Sequence, residues 1–224
     1  MVFIHISSTV ARMKFYVAWK LSEGACNLCG VGYSGIENGQ QVWNRGQNIN
    51  ILGMELPENP KAITEAWNIN TSRWLRNYVY FRISDPKKGG SMAFATFATN
   101  MTSAFWHGFY PGYYMFFGSA SFFILVSRAA RRNFRPLFVN TRWSGYKSFY
   151  DIAGIVTTSI TCCYMMVPFV LKHFDVSFAI WVQLFFYVHV LSLLLLLWFN
   201  NFGGSLSLKR FRRTISLDES DKTE

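Results

Sequence analysis

His107 is the only histidine in a long run, Gly89 to Ser127, that contains no Asp, Glu, Lys or Arg, and polar residues cluster before it in TNMTSAFWHGF. Asn100 and Ser103 lie three residues apart, and Ser103 and His107 four, so on a helix these three share one face. Thr99 and Thr102 add two hydroxyls nearby. Polar groups inside an apolar segment are costly and mark functional positions. A neutral imidazole is the side chain suited to accepting a proton near pH 7. An imidazole in such a place can also hydrogen-bond a neighbouring helix and do nothing else. Spacing alone leaves both readings open. Gly108 permits close approach of a backbone or ligand, and Trp106 and Phe109 are placed to hold the ring's rotamer. His189, among Phe, Tyr, Val and Leu, reads as a packing residue, and His5 and His173 lie near the ends of apolar segments.

A second group lies upstream. From Lys61 to Arg82 the pattern is helical, with Trp67, Trp74, Tyr78 and Phe81 at spacings of seven, four and three. Such a helix lies at a membrane surface, where Arg73, Arg76 and Arg82 either anchor it among headgroups or meet a phosphorylated cofactor.

The elements that must carry these residues are apolar helices. Only 15% of residues are charged, against about 25% in ordinary soluble domains. Val176 to Phe199 has no charged residue and is long enough to cross a hydrocarbon core. Spans are expected at about 91–110, 113–127, 152–171 and 176–199, with embedded or interfacial helices at about 1–20 and 61–82. Pro111-Gly112 separates the first two as a helical hairpin, and Pro168 falls late enough to kink the end of the third. The fold class is all-α, a polytopic helical membrane protein.

Charge sets the orientation. Arg128, Arg131, Arg132, Arg135, Arg142 and Lys147 precede the last pair of spans, and Lys209, Arg210, Arg212 and Arg213 follow it. Both groups must lie on one side, which the positive-inside tendency makes cytosolic, and Arg82, Lys87 and Lys88 agree. The C-terminus is then cytosolic. This bias accounts for the net charge of +10 without nucleic acid. Residues 201–224 form a polar tail, disordered from Ser216.

No metal site is expected. Cys26 and Cys29 form one C-x-x-C without a second pair, and Cys162 and Cys163 read as packing residues within a span. The glycine-rich stretch 24–39 lacks the G-K-[ST] of a phosphate loop and the preceding strand of a dinucleotide fingerprint.

The segment Trp67-Asn68-Ile69-Asn70-Thr71-Ser72-Arg73-Trp74-Leu75-Arg76-Asn77-Tyr78-Val79-Tyr80, followed by Ser103-Ala104-Phe105-Trp106-His107-Gly108, resembles the membrane-bound O-acyltransferase family. The likeness is strongest to its lysophospholipid acyltransferase branch, especially fungal members, and Ala18 to Gly35 adds to it. It covers nearly all of residues 1–200, which correspond to the C-terminal half of that family's domain. The resemblance implies a multi-pass enzyme of the endoplasmic reticulum that takes an acyl chain from acyl-CoA, with no tightly bound cofactor. It implies a catalytic His107 assisted by Asn68, inside a chamber reached by coenzyme A from the cytosol and by the lysophospholipid from the bilayer. Trp67, Asn70, Arg73, Trp74, Arg76, Asn100, Ser103 and Trp106 are the accompanying candidates for substrate or cofactor binding.

The chemistry is coherent on its own terms. Transfer to a glycerol hydroxyl needs a base to take its proton during attack on the thioester carbonyl, and His107 fits that role. Apolar surroundings suppress hydrolysis. Asn68 would donate to the developing oxyanion, or orient His107 or the acceptor. No G-x-S-x-G elbow is present, so direct transfer is preferred to an acyl-enzyme. If a helix begins near Ser91 at the cytosolic face, His107 lies about 24 Å along its axis. Family enzymes have about twice this length, so a missing N-terminal half or partner chain is expected to complete the chamber. The alternatives are another acceptor (a sterol, a diacylglycerol or a protein) and a non-catalytic membrane fragment.

Overall fold

Helix α6, Met92–His107, stops where Gly108 takes a φ of 116°. Helix α7, Pro111–Phe134, starts where a proline at the first helical position fixes φ and lacks only an N–H that would have had no partner. The computed structural model describes residues 2–85, 89–139 and 141–216. At one end of the α6–α7 hairpin His107 meets Tyr113, and at the other Arg128 Nη1 donates to Thr96 Oγ1 at 3.1 Å. The two helices therefore run antiparallel, as Pro111-Gly112 led one to expect. Ser91 caps α6 by accepting from the Phe94 N–H at 3.4 Å.

Helix α8, Lys147–Leu171, lies antiparallel to α7. Gly112 N–H donates to the Lys172 carbonyl at 2.9 Å, and a side chain at Gly112 would overlap the Pro168 carbonyl. At the other end of the contact Phe123 joins Tyr164 and Met165 in one cluster. Helix α8 runs through Pro168 and ends at Lys172, whose φ of 66° reverses the chain.

Helix α1, Val2–Leu28, turns Ser8, Arg12 and Tyr16 inward at four-residue intervals. Arg12 pairs with Glu55 at the end of α2, Ile51–Glu55, at 2.6 Å. Between them the chain forms a hairpin of β1, Gly35–Glu37, and β2, Gln40–Val42, with Gly35 opposite Val42. Its turn is Asn38-Gly39, both with positive φ, the combination favoured in a two-residue hairpin.

The expected single helix over 61–82 is interrupted. Helix α3, Pro60–Ala66, ends at Trp67, which is extended and bridges Ile49. Asn68 then takes the left-handed conformation, φ 47°, before α4, Ile69–Leu75, a π-helical turn Arg76–Tyr80 and α5, Phe81–Ile83. Pairing with residues 48–50 overrides the local helical preference. Asn50 N–H donates to Ala66 O at 2.8 Å, and Ile69 N–H to Asn48 O at 3.0 Å.

The segment expected to span over 176–199 is not one continuous helix. Helices α9, Phe174–Gln183, and α10, Tyr187–Asn200, are bent by 68° at Phe185 and Phe186, both left-handed. Tertiary contacts hold the bend: Phe186 N–H reaches Trp181 O at 2.9 Å, and Trp181 and Val188 share a buried cluster with Tyr164. Helix α6 has 16 residues, short for a crossing of about 30 Å. Among the described residues one helix, Ser144–Leu171, is by itself long and apolar enough to span, and the bent pair makes a second candidate. The described residues are thus mostly α-helical, with one or two candidate spans by length and composition.

Helix α11, Gly204–Ile215, docks Phe211 on Trp143, ring centroids 5.0 Å apart, and Arg142 N–H donates to Ile215 O at 3.0 Å. Lys87, Lys88 and the segment 217–224 lie outside the described residues.

Candidate active site

His107 ends α6, where its ring is exposed and backed by three aromatic side chains. It stacks on Phe117 at 5.3 Å, meets the edge of Phe169 at 5.3 Å and tilts against Tyr113 at 5.4 Å. Trp106 and Phe109 do not hold it as expected: Trp106 lies against Trp74 at 5.9 Å, and Phe109 against Phe105 at 5.3 Å. Consecutive helical positions point in different directions, so the imidazole packs on α7 and α8 while Trp106 reaches the α4 side. No described residue hydrogen-bonds either imidazole nitrogen. A ring packed on its face with both nitrogens free is placed to exchange a proton with a bound molecule.

Asn68 is held by the segment before α2. Asn48 Nδ2 donates to Asn68 Oδ1 at 3.1 Å, and Asn48 Oδ1 accepts the Asn70 N–H at 2.9 Å. Asn70 Nδ2 donates to Gln47 O at 3.3 Å. The left-handed backbone at Asn68 is one that Asn tolerates better than most residues. Trp67 precedes it in a cage of α1 aromatics, with ring centroids 4.9 Å to Trp19, 5.6 Å to Phe15 and 6.0 Å to Tyr16.

The two motifs share their support. Phe116 and Phe169 pack against both the buried cluster on which Trp67 also packs and the one beside His107, formed by Ala104, Tyr113 and Phe117. The Trp74–Trp106 contact and the π-helical turn resting on α6 join the same segments.

The remaining candidates divide. Asn100 Nδ2 donates to Thr96 O at 3.1 Å in its own helix, and Thr99 and Thr102 likewise bond carbonyls four residues back. The expected polar face thus spends most of its groups on α6 itself rather than on His107. Ser103 is half-buried, whereas Asn70, Arg73, Trp74 and Arg76 are exposed, Arg76 lying over the Phe81 ring at 5.4 Å.

Long-range pairings escaped the sequence reading. Arg12, almost fully buried, donates to Glu55, and Tyr16 also donates to that carboxylate. Burial alone would raise the Glu55 carboxyl, but the hydrogen bonds from Arg12 and Tyr16 hold it below its ordinary value. His5 Nδ1 lies 3.0 Å from Cys163 Sγ. His189 is bonded on both nitrogens, by Ser119 at 3.1 Å and Tyr164 at 2.9 Å. That satisfied imidazole contrasts with His107. Among the described residues no group of three or more His, Cys, Asp or Glu is arranged to hold a metal ion.

The membrane-bound O-acyltransferase family matches residues 1–167, and the chain belongs to it. It is 41% identical over 204 residues to the lysophospholipid acyltransferase of Schizosaccharomyces pombe, covering 89% of this chain and 40% of that protein. The lysophospholipid acyltransferase of Saccharomyces cerevisiae is 39% identical over 197 residues, 84% of this chain and 31% of that protein. The human membrane-bound glycerophospholipid O-acyltransferase 1 is 32% identical over 196 residues, 87% of this chain and 38% of that protein. The chain spans well under half the length of these relatives.

Proposed function

We propose that the chain carries the catalytic residues of an acyl-CoA-dependent lysophospholipid O-acyltransferase of the endoplasmic reticulum membrane. The observation that carries this reading is His107, packed on its face with both nitrogens unbonded, in a chain related to lysophospholipid acyltransferases. His107 takes the proton of the lysophospholipid hydroxyl as its oxygen attacks the thioester carbonyl. The C–O bond forms, the C–S bond breaks, and the coenzyme A thiolate leaves with that proton.

The alternatives for Asn68 narrow. Its Oδ1 already accepts from Asn48, so the free end is Nδ2, a donor. Donation to the thioester oxygen, where negative charge develops, uses that end and is the role we assign. The multi-pass chamber and a C-terminal-half position belong to the same proposal, with another segment completing the walls.

The experiment is transfer of a labelled acyl chain from acyl-CoA in membranes carrying the chain, alone and joined to an N-terminal segment of a relative. Acceptors are a lysophospholipid panel, a sterol and a diacylglycerol. Label in phospholipid supports the reading. Label only in sterol ester or triacylglycerol replaces the acceptor, and no transfer in either form overturns the proposal.

A further inference from the structure

Far from His107, the end of α7 and helix α11 border an open cleft of about 570 Å³. Arg128, Arg131, Arg132 and Arg135 line it from the α7 side and Arg212 from α11, with Pro136 and Val139 as apolar wall and, among the described residues, no acidic side chain. Among the described residues the ion pairs involve Arg12, Lys20, Lys61 and Lys147, so none takes these five arginines. The negative end of the α7 dipole favours cations in its last turn, which accounts in part for Arg131 and Arg132. It does not account for Arg212, which belongs to another helix. That helix is brought here by Phe211 on Trp143, the Arg142–Ile215 backbone bond and the bridge between Thr141 and Ser216. The fold adds a fifth positive charge to four that already repel one another. A concave guanidinium cluster with no ion pair among the described residues gains most from a multivalent anion, and guanidinium forks match phosphate oxygens.

We propose that this cleft binds a phosphate-bearing ligand. Two carriers share that chemistry: the phosphates of coenzyme A and the headgroup of an anionic phospholipid. From Tyr113, which touches His107, to Arg128 is 15 residues of helix, about 22 Å. Coenzyme A holds its phosphates and its thioester at opposite ends of a long arm, so a phosphate site remote from His107 suits it. That arm of the proposal rests on the acyl-CoA reading above, and phosphate binding itself does not.

The test uses the full chain in neutral detergent, with free coenzyme A as one probe. Vesicles of phosphatidylcholine with and without phosphatidic acid are the other. Binding of coenzyme A, or a preference for vesicles containing phosphatidic acid, is expected. The Arg131→Gln/Arg212→Gln double variant should weaken that binding about tenfold or more. Lys209→Gln, which removes a charge from the same helix outside the cleft, should change it by less than about twofold. Coenzyme A binding alone identifies the cosubstrate as the carrier, and phosphatidic acid preference alone identifies the lipid. Binding of neither probe by the native chain overturns the proposal, as does equal weakening by Lys209→Gln, the mark of a diffuse positive surface. His107→Ala is measured in parallel and should bind as the native chain does, so failure of the transfer reading is distinguishable from failure of the phosphate site.

Discussion

Asn48 Nδ2 donates to Asn68 Oδ1 at 3.1 Å, across 20 residues of sequence. The same Asn48 accepts from the backbone of Asn70 and offers its carbonyl to Ile69, so one side chain and its peptide unit fix both sides of Asn68. Asn48→Ala should therefore lower acyl transfer about tenfold or more through a misplaced Asn68, mostly in kcat. Lost hydrogen bonds should cost about 1–3 kcal/mol of stability. Steady-state transfer and thermal unfolding in detergent check the two effects separately.

Arg12 and Glu55 form a part-buried ion pair next to Tyr16, one of the rings around Trp67. Arg12→Leu leaves Glu55 with only its Tyr16 hydrogen bond and should cost about 1–3 kcal/mol. Folding favours the ionised Glu55, whose carboxyl lies below its ordinary value. The stability it contributes is present above the ordinary carboxylate range of about pH 4.3 and is lost as pH falls through the lowered value. The unfolding temperature should fall on acidification below that range, and less steeply in Glu55→Gln.

Phe185 and Phe186 share a left-handed backbone but not an environment. Phe185 is 86% exposed, so Phe185→Gly should relieve strain and stabilise the bend by about 1 kcal/mol. Phe186 lies 6.0 Å from Trp181 and 5.7 Å from His189, so Phe186→Gly should be net destabilising. Unfolding midpoints of the two variants should move in opposite directions.

Gly112 lets α7 close on the end of α8 beside Tyr113, one of the rings behind His107. In Gly112→Ala the new methyl meets the Pro168 carbonyl and the backbone of Lys172, an overpacking worth about 1–3 kcal/mol. Unfolding measurements and transfer activity should fall together.

The hairpin of α6 and α7 was legible because Pro111-Gly112 is a local signal, and so was the apolar character of α8. The bend at Phe185 and Phe186 was not: neither residue breaks helices, and Phe186 is held by rings on α9 and α10. The interruption at Trp67-Asn68 was likewise hidden, because pairing with Ile49 and Asn48 lies 18 to 20 residues away in sequence. For the candidate site, spacing placed Asn100, Ser103 and His107 on one helix. It could not say that Asn100 would bond its own helix, or that Phe117 and Phe169 would back the imidazole. His5 beside Cys163 spans 158 residues, a separation at which no pattern in the sequence speaks.

The central claim is that His107 acts as the base. Its most direct test compares native His107 with His107→Ala and His107→Gln in labelled acyl transfer from acyl-CoA to lysophospholipid, at equal abundance in membranes and with any completing segment present. Each variant should lose transfer by at least about a hundredfold, while coenzyme A binding and unfolding temperature change little. Transfer by His107→Ala at the native rate would contradict the account.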